Sequence, residues 1–320
     1  MWRVEDGTQM ATLTAWNVRS LAVSKDSRWI AAGTRYGYAI VWDANTFEKV
    51  FTHKEGFQDI VGVDFSPDSA RLLVASKNWT ATVWDFTTRQ PVLTLYHQDQ
   101  CVIAAKYSPQ GERIATATRD SVLVYDSNNG SVLMQIKTRV IPLFNTGLLW
   151  SNNHLFVVSA SAIGKLEAST RSTVSEFLQS LSNHLSCIAP PQYGEFFAYS
   201  TNNTVTFWGT NTPTRLGLIQ HTQFIRSIAL SPDNRFLAIG GKGGKIAIKD
   251  LRAVLPASHP TVSILYCRII ACLNGFTINP PDFDFSLWTR TPSLSHHSST
   301  SPTLYSIPGS RTGSQTQKHH

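Results

Sequence analysis

Residues 240–245, Gly-Gly-Lys-Gly-Gly-Lys, are the stretch of this sequence closest in composition to a phosphate-binding loop. A phosphate-binding loop of that type ends in Lys followed by Ser or Thr and opens a helix. Here Ile246 follows Lys245, and the stretch falls between two predicted strands, where a tight turn requires glycine. We therefore interpret 240–245 as a structural turn and not as a nucleotide site.

Other residues with metal-binding or nucleophilic chemistry do not form a recognisable constellation. The pairs His296-His297 and His319-His320 stand among Ser, Thr and Pro residues without Cys or carboxylate partners, so they define no metal site. Cys267 and Cys272 lie in an apolar run, which indicates packing residues. The sequence has no Gly-x-Ser-x-Gly and no His-Glu-x-x-His motif. We predict no catalytic residues, no metal and no cofactor, and hence a protein that is not an enzyme.

The composition is that of a globular protein with a modest positive charge. The chain has 320 residues, of which 42% are hydrophobic and 15% charged, and a formal charge of +7. Residues 251–320 contain five Lys or Arg and two Asp, which leaves about +4 for residues 1–250. Because those basic residues are scattered, they favour a solvated surface over a nucleic-acid footprint.

The cysteines and the N-terminal residues indicate the cellular compartment in which we expect the protein. The four cysteines form no Cys-x-x-Cys motif, which favours reduced thiols in the cytosol or nucleus. Residues 1–10 carry charges and no apolar core, so they do not resemble a signal peptide. The apolar run 261–278 is interrupted by Arg268 and is short for a membrane span. We expect no membrane association.

The elements of the chain are best seen in residues 61–85, VGVDFSPDSARLLVASKNWTATVWD. Three runs of alternating apolar and polar residues predict three half-buried strands. Ser66-Pro67-Asp68 predicts the turn between the first two, since Pro presets φ and Asp can accept hydrogen bonds from its own backbone. The unit closes on Trp84-Asp85.

This unit recurs along the chain. The Ser of the turn recurs at Ser24, Ser66, Ser108 and Ser231, and the closing position recurs at Trp42, Trp84, Tyr125, Trp208 and Lys249. Successive closing positions are 41 or 42 residues apart, with a double interval between Tyr125 and Trp208. A period of that length with several short strands per unit is typical of propeller blades.

On these residues, the chain resembles the WD40 repeat family over roughly residues 1–250. The resemblance implies an all-β propeller of six to seven four-stranded blades, with 1–250 as one domain. Residues 8–14 align with outer strands, and in this family the N-terminal strand commonly completes the last blade. We therefore expect 8–14 to pair with 225–250 and to close a sixth blade, whereas a seventh would need strands from 251–290.

The resemblance also implies a buried hydrogen-bond network in each good repeat, built on a His before the first strand. Only His221 stands at that position here, whereas Thr14, Gly56 and Gln98 occupy the equivalent positions. Asp120 is the one plausible turn Asp of such a network. We therefore expect most blades to depend on apolar packing.

Beyond the repeats the pattern stops. Residues 251–285 form an apolar extension for which a pair of strands, a packed helix and an unrelated ending all remain open. Residues 286–320 are rich in Ser, Thr, Pro and His and have few large apolar residues, which predicts a disordered tail.

Candidate binding residues follow from the resemblance, because partners of WD40 propellers most often contact the narrower face, at residues just before each inner strand and in the turns between the second and third strands. By position in this sequence, the resemblance implies partner-binding roles for Trp16, Asn17, Phe57, Asp59, Gln100, Cys101, Gln223, Phe224 and Arg226. Aromatic and Arg side chains are typical anchors of protein interfaces. Packing between blades is the alternative for Trp16, Phe57 and Phe224.

The expected function is a non-catalytic scaffold that binds other proteins or peptides and assembles a multiprotein complex. One alternative is a subunit of a chromatin or RNA-processing complex that contacts nucleic acid directly, which would need a basic stripe. A propeller hydrolase would need carboxylates or His converging in the central channel. A truncated relative of a longer WD40 protein is the remaining alternative.

Overall fold

The structure, a computed structural model, describes most of residues 1–255. The exceptions are 2, 4–7, 99, 138–146, 152, 159–161, 168–174, 180–184, 190–195, 212–213 and 232. The predicted extension from residue 256 onward and the tail 286–320 lie outside the described residues.

In the part of the chain that the structure describes, twenty-three strands form six antiparallel sheets in which sequence neighbours pair. Sheet 1 contains β1 (Val18–Val23), β2 (Trp29–Thr34), β3 (Tyr38–Asp43) and β4 (Lys49–Lys54); sheet 2 contains β5 (Ile60–Phe65), β6 (Arg71–Ser76), β7 (Thr80–Asp85) and β8 (Gln90–Tyr96); sheet 3 contains β9 (Ala104–Tyr107), β10 (Arg113–Ala117), β11 (Ser121–Asp126) and β12 (Val132–Lys137). Sheet 4 contains β13 (Leu148–Ser151), β14 (His154–Val158), β15 (Ala162–Glu167) and β16 (Ser175–Gln179); sheet 5 contains β17 (Leu185–Ala189), β18 (Phe196–Thr201), β19 (Thr204–Gly209) and β20 (Arg215–Gln220); sheet 6 contains β21 (Ile225–Leu230), β22 (Phe236–Gly241) and β23 (Ile246–Asp250), and a 3-10 turn follows at Leu251–Ala253.

The sheets are arranged as a propeller. The first strand of one sheet contacts the first strand of the next, as β1 does β5 and β17 does β21, so the first strands lie toward the centre. Apolar side chains fill the space between successive sheets, and Phe156 of sheet 4, for example, packs against Phe197 of sheet 5. The predicted all-β propeller is confirmed, with six sheets in the part of the chain that the structure describes.

The turn between the first two strands has the same hydrogen bonds in repeat after repeat. In sheet 2 the Ser66 hydroxyl donates to the Asp68 carboxylate at 2.5 Å and accepts from the Arg71 N–H at 2.9 Å. Ser24 and Ser231 make the equivalent pairs of bonds. The carboxylate of the Asp is charged, which makes its hydrogen bonds stronger than those between neutral groups. These bonds explain why the sequence repeats Ser and Asp at this spacing.

The prediction that residues 8–14 pair with the last sheet is wrong. Sheet 6 has three strands, and the backbone N–H groups of Met10 and Ala11 donate to the carbonyl oxygen of Met1, at 2.9 and 3.4 Å. Met1 and Leu13 pack on the face of sheet 1 that is turned away from sheet 2. A local pairing needs less loop-closure entropy than one with a strand more than 200 residues away, and it still buries apolar side chains.

Candidate interaction surface

The candidate surface lies at one end of the sheets, which we call the loop face. It is formed by the connections that lead into the first strands and by the turns between second and third strands. Backbone hydrogen bonds join these segments in sheets 1, 2 and 6: Arg35 N donates to Asn17 O at 2.9 Å, Lys77 N to Asp59 O at 3.0 Å, and Lys242 N to Phe224 O at 2.8 Å. The loops are therefore held in fixed positions by the sheets beneath them.

The structure places all nine sequence-predicted residues on the loop face. Its aromatic members point to solvent, since 79% of Trp16, 84% of Phe57 and 40% of Phe224 is exposed. The alternative that these side chains pack between blades is therefore wrong. Their role in binding a partner stays a prediction.

Two of the nine carry a nearby cation. The Lys54 ammonium lies 3.9 Å from the centroid of the Phe57 ring, and the Arg226 guanidinium lies 5.5 Å from that of Phe224. Both distances are within the range of cation–π attraction. Arg226 also stands at a register shift at the start of β21, where a bulge turns a side chain away from the regular alternation.

The polar members are held by the protein itself. The Asp59 carboxylate accepts a hydrogen bond from Lys77 at 2.9 Å and lies 3.9 Å from Arg19. The Gln100 side-chain oxygen accepts from the Thr118 hydroxyl at 2.6 Å, and that of Gln223 from the Gly243 N–H at 3.2 Å. These hydrogen bonds position the loops. They also leave Asp59, Gln100 and Gln223 with less hydrogen-bonding capacity for a partner.

Asn17 and Cys101 complete the predicted set. Asn17 has a positive φ of 51°, which Asn tolerates better than most residues, and its amide lies 3.4 Å from the Tyr36 hydroxyl. Cys101 is exposed and is not in a disulfide. Eight of the nine predicted residues lie on the four loops before β1, β5, β9 and β21, and Arg226 is the second residue of β21.

Three further exposed aromatic residues, Tyr36, Trp79 and Tyr96, lie near this face and were not among the predicted ones. Tyr36 and Trp79 lie in the turns between second and third strands. The resemblance implies that these turns contact partners. The aromatic residues within the turns could therefore have been predicted as binding residues.

A buried hydrogen-bond network is present in sheet 3, where the sequence predicted none because Gln98 occupies the expected position of the His. His97, not Gln98, is buried there, and its Nε2 lies 2.8 Å from the Thr116 hydroxyl and 3.3 Å from the Tyr125 hydroxyl. Burial lowers the pKa of His97 and raises that of Tyr125. His221 instead accepts at Nδ1 from the Gln223 N–H at 3.1 Å, a local bond.

One titratable group whose pKa is strongly raised, the Cys187 thiol, lies inside sheet 5. Burial raises the pKa of the Cys187 thiol to about 12, and its sulfur lies 2.8 Å from the Ser200 hydroxyl. A thiol with so high a pKa is a poor nucleophile. Among the described residues, no group of three or more His, Cys, Asp or Glu is placed to hold a metal, and no helix is long and apolar enough to cross a membrane.

Comparisons with known proteins agree with the repeats. The family model "WD domain, G-beta repeat" matches residues 7–43, 46–85 and 213–250. An uncharacterized WD repeat-containing protein of Deinococcus radiodurans is 36% identical over 76 residues, which span 22% of this chain and 29% of that protein. The matched part is therefore less than a third of that relative.

A solved structure shows the same fold. A chain from the crystal structure of the mitotic checkpoint complex superposes with a TM-score of 0.67 at 15% sequence identity, over 78% of this chain and 80% of that one. At that identity the likeness concerns the fold alone.

Proposed function

Because the chain is a WD40 repeat protein whose sheets form a propeller, we propose that it is a scaffold that binds other proteins or peptides through its loop face. The observation that carries this proposal is the exposure of Trp16, Phe57 and Phe224 on loops that hydrogen bonds hold in place. Exposed aromatic side chains are typical anchors of protein interfaces, where a few such residues contribute much of the binding energy.

In the proposed mechanism the protein brings partners together and catalyses no reaction. Separate groups of candidate residues stand before β1 and β5, before β9, and before β21, so one rigid body offers several contact areas. The groups whose pKa values burial shifts most, Tyr107 and Cys187, serve the packing between strands. We therefore propose a non-enzymatic role, and by the cysteine usage a cytosolic or nuclear location.

A quantitative pull-down from an extract of the native cells tests this proposal. The triple variant Trp16→Ser, Phe57→Ser, Phe224→Ser should lose the proteins that the natural chain retains, and its folding should be checked by circular dichroism. The matched control replaces three exposed apolar residues of the outer strands, Val92→Ser, Val132→Ser and Leu218→Ser.

The control should retain the same proteins as the natural chain. Equal retention by the two triple variants, or loss only with the outer-strand variant, would refute a partner site on the loop face.

A further inference from the structure

Trp79 stands in a backbone conformation that a bulky residue rarely adopts. It lies in the turn between β6 and β7 with φ 72°, and 49% of its surface is exposed. At the equivalent position, five residues before the closing residue, sheet 1 has Gly37 and sheet 6 has Gly244, both with φ 80°. Only glycine adopts such angles without steric cost.

An exposed side chain that costs strain has a use outside the fold more often than within it, since backbone strain concentrates at functional sites. About half of the Trp79 side chain stays in solvent, so a partner can still bury it. The turn itself is well held, because the Asn78 amide donates to the Glu55 carbonyl at 3.0 Å.

The segment Glu55–Gly56 brings Trp79 into one surface with two other exposed aromatic residues. The turn before Trp79 contacts this segment from one side through Asn78. The turn that carries Tyr36 contacts it from the other, since Glu55 N donates to Gly37 O at 2.7 Å. Phe57 follows directly in the chain, and we call Tyr36, Phe57 and Trp79 the aromatic patch.

The charges that this surface shows to solvent are positive. Lys54 lies over the Phe57 ring, and both Lys54 and Arg35 are exposed. The nearby carboxylates have partners within the protein, since Glu55 accepts from the Thr82 hydroxyl at 2.7 Å and Asp59 forms an ion pair with Lys77 at 2.9 Å. A partner would therefore find exposed aromatic faces with the cations Lys54 and Arg35 beside them.

We propose that the aromatic patch binds an extended, acidic protein segment that carries an aromatic or aliphatic anchor residue. Aromatic faces match the anchor, and Lys54 and Arg35 match flanking carboxylates. This inference rests on the proposed scaffold function and assigns one of its contact areas to sheets 1 and 2. It also assigns Trp79 as a residue that determines specificity.

Selection of a displayed library of random dodecapeptides on the full chain tests the partner chemistry. The enriched peptides should contain Asp or Glu beside Phe, Trp or Leu, and raised salt should weaken their binding. Enrichment of basic or uncharged peptides, or of none, would overturn the inference.

Fluorescence polarisation with an enriched peptide then tests the patch. Trp79→Gly and Phe57→Ala should each raise the Kd about tenfold or more, and Lys54→Gln should do so by less, whereas the exposed outer-strand control Val92→Ala should leave it unchanged. If Phe224→Ala abolishes binding and the patch variants do not, the inference fails while the scaffold proposal stands.

The melting temperature separates a binding role from a packing role. Trp79→Gly removes backbone strain but also loses the buried half of the indole, so the two effects oppose each other and the melting temperature should change by less than about 4 °C. Trp79→Asn, which tolerates positive φ without the added flexibility of glycine, should behave in the same way. A larger fall of the melting temperature in both variants would identify Trp79 as a packing residue and refute the inference.

Discussion

The stability of sheet 3 should depend on pH through one buried side chain, His97. Its ring is 5% exposed and lies between the hydroxyl groups of Thr116 and Tyr125. Burial lowers its pKa below the ordinary value, because a charged imidazolium has lost its hydration there. Folding therefore favours the neutral ring.

The sign and size of the effect follow from proton linkage. Below the pKa of the unfolded chain, about 6.5, the unfolded state binds a proton at His97 that the folded state does not. The contribution of the neutral ring to stability is complete above that pH and is lost as the pH falls toward the lowered pKa of the folded state. The loss amounts to at most about 1.4 kcal/mol for each pH unit.

The comparison of the natural chain with His97→Gln isolates this contribution. A glutamine amide can replace the hydrogen bond of Nε2 to Thr116 but does not titrate. Urea denaturation should be measured on both proteins at about pH 7.5 and about pH 5.5, on either side of the ordinary histidine pKa. His154, whose pKa is also lowered, is present in both and cancels.

We expect the free energy of unfolding of the natural chain to fall more on acidification than that of the variant, by about 1 kcal/mol. An equal fall in both proteins, or a natural chain that gains stability in acid, would refute the assignment of His97 as the buried neutral group.

Three further predictions concern the fold. Tyr107→Phe should leave stability unchanged or raise it by up to about 1 kcal/mol in urea denaturation, because the buried hydroxyl has no hydrogen-bond partner among the described residues; a clear loss would contradict this. Gly37→Ala should destabilise more than the control Gly244→Ala, since both have φ 80° but only at Gly37 would a Cβ lie 2.3 Å from a backbone oxygen, that of Gly56; equal melting temperatures would refute the contact. Removal of residues 1–15 should accelerate hydrogen exchange in sheet 1 and leave β21–β23 unaffected; the opposite pattern would mean that this segment completes sheet 6.

Local chemistry made much of the fold predictable. Ser66 and Asp68 bond to each other and to the backbone of one turn, so their spacing recurs wherever the turn recurs. The closing positions are equally regular, and Trp42 and Trp84 each stand opposite the second residue of the second strand, Ile30 and Leu72. Interactions within one unit leave a period in the sequence.

Interactions between units left no such signal. Residues 8–14 could bury the same apolar side chains either by pairing with a distant strand or by covering sheet 1. Because both arrangements require the same apolar pattern, the sequence does not distinguish them. The position of His97 was missed because its connection to the following Ser108 is one residue longer than that of His221 to Ser231. Trp79 was missed because a period identifies a turn but not the angle that each residue adopts in it.

A photoreactive residue on the loop face provides the most direct test of the scaffold proposal. Phe57→p-benzoylphenylalanine places the crosslinker at an exposed loop-face position, and Thr87→p-benzoylphenylalanine places it in the exposed turn between β7 and β8, at the opposite end of the sheet. After irradiation in an extract of the native cells, position 57 should yield defined covalent adducts with protein partners, and position 87 should not. Adducts at position 87 alone, or the same adducts at both positions, would contradict a scaffold that binds through its loop face.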